Sequence, residues 1–293
     1  HKLFNNWYLI NPSIVQRKNG YLVSYRLSNY CLQYNKQKDT IEHIFLDNYG
    51  DSGHNNYSSK ILLVKYDFNF NVQSYNILED SNGPYIKFSL GLEDVRLYHK
   101  NYFNATSTME NNKNLNNIVY VHFKHNKVLQ RNIISSDNCE KNWLVFKENN
   151  QYLNIVTFNP LTIQEINIMG DITFTRLYNF KQQFWRNAAA PILYNWQNKQ
   201  GYLGLVRESC DHNLDLRTYY YRWIYYIFNN TILTLFISNP WKITKEYVEI
   251  INSIILTKDN ELLVYYSVND TTSHLVSVDT NILNESLIHQ FTF

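Results

Sequence analysis

Cysteine, glycine and proline are scarce in this chain, as are helical periodicity and any excess of charge of one sign. The three cysteines, Cys31, Cys139 and Cys210, are odd in number, far apart and not in metal-ligand spacing. They support neither a disulfide framework nor a zinc site, and they favour a reducing, intracellular setting. With 27 basic and 25 acidic residues the net charge is +2, and the charges are interspersed. Nothing in that pattern is the footprint of a phosphate backbone, so nucleic acid is not an expected partner. No motif calls for a metal or an organic cofactor. One charge-free run, Trp223 to Trp241, reaches the length of a spanning helix. It contains Asn229-Asn230 between two β-rich runs, which reads as a hairpin turn, so no membrane span is expected and the protein is read as soluble. The chain starts at His1 and not at Met, so removal of an upstream segment is expected. Five Asn-x-Ser/Thr sequons, at Asn56, Asn104, Asn229, Asn269 and Asn284, are discounted, because chance produces such triplets in so Asn-rich a chain.

Aromatic and β-branched residues are what the chain has instead. There are 25 Tyr and 16 Phe in 293 residues, and only 8 Gly and 5 Pro. The apolar runs are short and bounded by Asn, Asp and Lys clusters, which is the pattern of strands and turns. Heavy use of Asn, Lys, Ile and Tyr points to an AT-rich coding genome such as that of a protist or a large virus. The length suffices for a large core, and composition favours a single all-β domain over 1–293.

That domain carries an internal repeat of strand, polar turn and strand. Its copies are Pro12 to Tyr25 around the turn Arg17–Gly20, Val95 to Ser107, Trp143 to Phe158, Pro191 to Arg207, and Ser253 to Ser267. The copies recur about every 50 to 60 residues, each with room for four short strands, which predicts a five-bladed β-propeller of antiparallel four-stranded blades. A longer gap after the first copy is assigned to a polar insertion over about 35–59, read as a surface loop. A two-sheet sandwich is the competing fold.

Each hairpin begins or ends on polar residues: Asn11 and Arg26, Glu93-Asp94, Lys141-Asn142, Arg186-Asn187 and Arg207, and Asn269-Asp270. In a propeller such ends converge, which makes one candidate site of scattered residues. Asp94 and Arg96, at i and i+2 on a strand, share one face, which an ordinary ion pair would also explain. Glu93 would face the other way and pair with a neighbour. His122 and His125 are read as lying on opposite faces of a strand, which argues against a shared metal. Trp143, Trp185, Trp196 and Trp223 are read as core before sugar platforms.

At these residues the sequence resembles glycoside hydrolase family 130, the propeller enzymes that include β-mannoside phosphorylases, hydrolases and related mannosyltransferases. The matching stretches are Asn11-Pro12-Ser13, Val23-Ser24-Tyr25-Arg26, Glu93-Asp94-Val95-Arg96, Lys141-Asn142-Trp143, Ala190-Pro191 with Tyr202-Leu203-Gly204, and Ser267-Val268-Asn269-Asp270. The resemblance implies that Asp94 is the general acid and that Asn11, Arg26 and Asp270 hold the sugar, with Arg96 and Asn142 beside them. It implies that Lys141, Arg186 and Arg207 hold inorganic phosphate as co-substrate. The chain departs from the family at Val95 in place of proline, at Ala188-Ala189-Ala190 in place of a Gly-rich approach, at Arg207 where phosphorylases show histidine, and at Val268 in place of glycine.

One acid and a cationic cradle suffice for phosphorolysis, because phosphate is already a nucleophile, whereas an inverting hydrolase needs a second carboxylate to activate water. The expected activity is therefore cleavage or formation of a β-mannoside-type bond by inverting phosphorolysis or its reverse. A non-catalytic glycan-binding propeller is the alternative. The expected partner is a glycan or sugar phosphate, and self-association into a homo-oligomer is left open.

Overall fold

The computed structural model describes residues 7–35, 37, 40–45, 59–79, 88–109, 116–134, 142–210, 218–229, 232–244 and 249–293. All five expected hairpins are present. The first sheet takes β1 (Tyr8–Arg17) and β2 (Gly20–Ser28), then, beyond a separate small hairpin of β3 (Tyr30–Asn35) and β4 (Thr40–Phe45), β5 (Ser59–Tyr66) and β6 (Val72–Ile77), in the order β1-β2-β5-β6. The segment read as a surface loop over about 35–59 thus contains a strand, β4, which pairs with β3 just ahead of it from Asn35–Thr40 to Tyr30–Phe45.

The second sheet is β7 (Phe88–His99), β8 (Tyr102–Met109), β9 (Asn116–Lys124) and β10 (Lys127–Ile134). The third is β11 (Leu144–Glu148), β12 (Gln151–Phe158), β13 (Leu161–Ile166) and β14 (Ile172–Leu177). The fourth holds β15 (Trp185–Trp196), β16 (Lys199–Cys210), β17 (Thr218–Asn229) and β18 (Ile232–Ser238). The fifth is β19 (Glu249–Leu256), β20 (Leu262–Val268) and β21 (Thr272–Val278). After the short helix α1 (Thr280–Ser286), the last strand, β22 (Leu287–Thr292), joins the outer edge of the fourth sheet against β18. Five successive antiparallel sheets, each led by a hairpin, make the fold a five-bladed β-propeller. The run Trp223 to Trp241 is the β17–β18 hairpin, and among the described residues no helix is long and apolar enough to cross a membrane.

Burial explains the composition of each strand. Inside a sheet β2 is buried at every residue, and outer strands such as β6 and β14 are mostly exposed. A strand covered on both faces needs a near-continuous apolar run, and an edge strand needs none. Tight hairpin turns demand left-handed backbone, met by Gly20 at φ 137 and by Asn149, Asn198 and Asn260 at φ 52, 59 and 61. A side chain on Gly20 would also strike the Tyr66 carbonyl oxygen, 2.0 Å from an ideal Cβ.

The chain divides into two compact units, 1–141 with 267–273, and 142–266 with 274–293. The core of the first gathers Leu22, Ile61, Val95, Phe103, Val119 and Val121. That of the second gathers Phe146, Ile155, Phe158, Trp185, Ile224 and Tyr226. Trp143, Trp185, Trp196 and Trp223 are all buried, as a core reading requires.

Candidate active site

In the first unit, the two leading strands break their ladders at the residues of interest. Pairing of β1 with β2 shifts register between Ile10 and Ser13, and pairing of β7 with β8 shifts between Glu93 and Arg96. Asn11 and Asp94 sit in these bulges at φ 50 each. A bulge re-aims side chains, and asparagine and aspartate tolerate the left-handed region better than other non-glycine residues. Simple two-residue alternation therefore fails at the point where it would have placed Asp94 and Arg96 on one face.

The result is a direct contact between the two bulges: the Asn11 side-chain amide donates to Asp94 Oδ1 at 2.7 Å. Asn11 is held in turn by Ser267, whose Oγ accepts from the Asn11 backbone N–H at 2.9 Å and donates to its Oδ1 at 3.2 Å. Ser13 performs a similar service for β7, its Oγ accepting from the Leu97 N–H at 2.9 Å. The segment carrying Asp270 is tied to the same strand by Ser273 Oγ, which donates to the Leu9 carbonyl at 2.8 Å. Asn269 and Asp270 are again left-handed, at φ 51 and 49.

Arg26, opposite Ile10 on β2, is buried at the centre of this cluster. Its Nη2 donates to Glu93 Oε1 at 2.6 Å and to the Tyr30 hydroxyl at 3.0 Å, and the guanidinium lies 5.5 Å from the Tyr30 ring centroid. Burial opposes the charge on Arg26, but Glu93, Tyr30, Asp94 and Asp270 together hold its pKa above the ordinary value. Tyr30 is pushed up to about 12, mainly by burial.

Asp270 is only 8% exposed, and its Oδ1 has no hydrogen-bond partner among the described residues. Burial first, and then the charges of Asp94 and Glu93, push its carboxyl up to about 6 against the opposing pull of Arg26. Three carboxylates around one guanidinium carry excess negative charge, so the most buried of them holds its proton longest. Arg96, opposite Asn104, is also buried.

The second unit holds the expected cations. Arg186 and Arg207 face one another directly across the β15–β16 pair. Arg186 is exposed, and its Nη1 donates to the Gln183 and Trp185 carbonyls at 3.0 Å each. Arg207 is half-buried, with its guanidinium 4.9 Å from the Tyr219 ring centroid. Like charges directly opposite on a ladder are unfavourable unless an anion intervenes. Two register shifts flank Ala189, one between Asn187 and Ala189 and one between Ala189 and Ile192, and Ala188 and Ala189 are fully packed. The Ala188–Ala190 stretch therefore fills core where a glycine-rich one would have left room. Asn142 is half-buried at φ 60, while Lys141 lies outside the described residues.

The structure thus brings Asn11, Arg26, Asp94 and Asp270 together in one unit and sets Arg186 beside Arg207 in the other. Sequence reasoning missed Tyr30 as a member of the first cluster and gave Ser267 no role beyond its place in a matching stretch. Tyr30 lies on β3, ahead of the segment read as an insertion, and no motif flags it. Glu93, expected to face away from Asp94, instead joins the same cluster by pairing with Arg26, 67 positions away, because the bulge breaks the alternation on which that expectation rested. His125 falls in the turn after β9 and not on the strand, and no group of three metal-ligating residues occurs among the described residues.

No protein-family model matches the sequence, and no curated protein does. Solved structures do match. A β-1,2-mannobiose phosphorylase from Listeria innocua, solved with β-1,2-mannobiose, aligns with a TM-score of 0.63 at 14% identity over 98% of this chain and 94% of that one. The fold is shared with mannoside phosphorylases. A second match, at TM-score 0.62 and 11% identity over 94% of this chain and 85% of that one, comes from work on the GH130 mannoside phosphorylases that describes glycoside hydrolases targeting β-1,2 mannosidic linkages in Candida mannan. A glycosyl hydrolase from Bacteroides ovatus aligns at TM-score 0.55 and 12% identity, over 94% and 85% of the two chains. Structures sharing this fold thus include carbohydrate-active propeller enzymes, and at these identities the likeness is one of fold.

Proposed function

We propose that the chain is a carbohydrate-active enzyme that cleaves or forms a β-mannoside-type glycosidic bond, by inverting phosphorolysis or its reverse, with Asp94 as general acid. The observation that carries this reading is the contact of Asn11 with Asp94 between two bulged, left-handed strand positions. A buried left-handed residue tied to a partner distant in sequence, unlike one that only reverses the chain at a turn, is over-determined by its surroundings in the way residues at sites of chemistry are. Because the Asn11 amide occupies Oδ1, the proton to be delivered belongs on Asp94 Oδ2. Asp270 offers an unpartnered buried oxygen able to accept from a sugar hydroxyl, and Arg26 fixes the carboxylates around it.

Protonation of the glycosidic oxygen by Asp94 would let the bond to the anomeric carbon break as a nucleophile arrives from the opposite face. Glu93 is committed to Arg26, which removes the nearest candidate for activating water and favours an anionic nucleophile. Arg186 and Arg207, with Lys141, are the proposed phosphate ligands, since arginine pairs bidentately with phosphate. The cross-strand apposition of the two arginines supports the assignment.

A second reading, hydrolysis, is favoured by Asp270 alone. A carboxyl near 6 is ionised at neutral pH and has the basicity of a general base. Incubation of the protein with β-linked mannobioses, with and without phosphate, and with mannose 1-phosphate plus acceptor sugars, separates these outcomes. Phosphate-dependent cleavage, and phosphate release in the reverse direction, are expected. Cleavage that ignores phosphate would move the role of base to Asp270, and absence of turnover on every sugar would leave a glycan-binding propeller.

A further inference from the structure

A cavity of about 470 Å³ opens in the first unit, with Trp7, Tyr25, Tyr66, Tyr75, Leu62, Val64, Thr271 and Thr272 in its lining and none of Asn11, Arg26, Glu93, Asp94 or Asp270. We infer that it is a second carbohydrate-binding site, one that takes a neutral pyranose ring of a glycan by stacking and not by charge.

Three features of the lining select that ligand. Among the described residues no acidic, basic or histidine side chain lines it, and Lys60, the cation beside Trp7, is engaged on that ring, so a sugar phosphate has no free counter-charge there. A flat sugar ring has apolar C–H faces and a polar rim. Its natural counterpart is an aromatic wall with hydroxyls at the edge, since tyrosine and tryptophan combine an apolar face with a polar tip. Here Tyr25 and Tyr66 pair their hydroxyls at 3.1 Å, and Thr271, whose hydroxyl donates to the Val268 carbonyl and can still accept, and Thr272 add two more, which suits a hydroxylated ligand and not an aliphatic chain. The third feature is preparation of the aromatic surface: the Lys60 ammonium lies 5.1 Å from the Trp7 ring centroid and braces the indole, while Tyr75 stands on edge strand β6 at 42% exposure with no need of a core role. Large aromatics left at a cavity mouth cost solvation and are not required by the sheet.

The cavity's chain neighbours tie it to the acid cluster without merging the two. Leu9 of its lining precedes Asn11 by two residues, and Thr271 follows Asp270 directly. A glycan held in the cavity would therefore be kept by the same two segments that position Asn11 and Asp270.

Isothermal titration with neutral manno- and gluco-oligosaccharides of two to four residues tests this on the intact chain. Wild-type protein is expected to show a binding class that weakens about tenfold in Trp7→Ala and in Tyr75→Ala, the scale of one lost aromatic platform with its buried area. Tyr75→Ala changes an exposed edge residue and serves as the variant whose folding is not in question. The same class is expected to persist in Asp94→Asn, so it is measurable whether or not the proposed activity exists. Binding indifferent to both aromatic substitutions, or no binding of any neutral oligosaccharide at its highest soluble concentration, would overturn the inference. So would binding of the amphiphilic dye anilinonaphthalene sulfonate that is lost in Trp7→Ala and is not displaced by any neutral oligosaccharide.

Discussion

Hairpin turns and strand bulges both hold residues at positive φ, yet the two places put the same backbone conformation to different use. At the turns, Asn149, Asn198 and Asn260 are exposed and reverse the chain. In the bulges, Asn11 is buried, Asp94 half-buried, and the two are bonded to each other. Asn269 and Asp270 lie in the β20–β21 turn beside buried Ser267, and there too the buried residue, Asp270, is the one aimed at the cluster. An exposed left-handed residue at a turn satisfies a local geometric need, and a buried one, in a bulge or in this turn, aims a side chain whose partners come from distant sequence. The comparison teaches that conformation alone does not mark a site, and that conformation together with burial and a long-range polar partner does.

Substitutions can break this contrast, beginning with the largest effect. Arg26→Met leaves Glu93 and its neighbours without their buried counter-charge, and we expect a loss of about 3–5 kcal/mol in denaturant unfolding, the range for breaking a buried pair. Adding Glu93→Gln should restore part of it, and a double-mutant cycle with no coupling would show that the pair contributes nothing.

Next is Asp94→Asn, which keeps the shape and removes the acid. Turnover of substrates with poor leaving groups should fall roughly a hundredfold or more, the usual weight of general-acid catalysis, and activated leaving groups should lose much less. Equal loss on both kinds of substrate would make Asp94 a sugar-positioning residue.

The third prediction concerns pH. Asp270 has a folded pKa of about 6 against an ordinary 3.8, so its raised value contributes stability that is fully present below the unfolded pKa and lost as pH rises through the folded one. Between about pH 4 and 6 this group should cost the fold up to a few kcal/mol. Asp270→Asn should flatten that segment of the stability profile and unfold at a higher temperature than wild type at pH 7, while binding sugar less well. A variant no more stable than wild type at pH 7 would mean that Arg26 holds the carboxylate without penalty.

The smallest effect belongs to the turn side of the comparison. Asn260→Gly keeps the left-handed backbone and should change stability by no more than about 0.5 kcal/mol, with no change in any activity. Asn11→Gly relieves the same strain but removes the amide that holds Asp94, so its turnover should fall. If both glycine variants behaved alike, the distinction between the two places would collapse.

The hairpins were legible because strand and turn chemistry is local. Tyr21 to Tyr25 and Leu262 to Ser267 are short apolar runs beside Asn- and Lys-rich turns, and the structure makes strands of both. The polar ends were legible as candidates for the same reason. Three things were not. The ion pair of Arg26 with Glu93 and the bond of Asn11 to Ser267 join residues 67 and 256 positions apart, and no local pattern encodes them. Strand β22 reads like any other short strand, and its place on the edge of the fourth sheet depends on the free edge that β18 presents. The bulges at Asn11-Pro12 and Asp94-Val95 overturn the two-residue alternation on which face assignments rest.

Five antiparallel hairpin-led sheets follow from local sequence, since short apolar runs, near-continuous in strands such as β2, and Asn-rich turns are properties of neighbouring residues. The sequence by itself also determined which polar residues stand at strand ends. Only the tertiary structure decided which of them meet: that Asp94 is gripped by Asn11, that Arg26 is shared among three carboxylates and Tyr30, and that burial raises the pKa of Asp270. The physical reason is that hydrogen bonding and desolvation depend on separations of a few ångströms between atoms far apart in the chain.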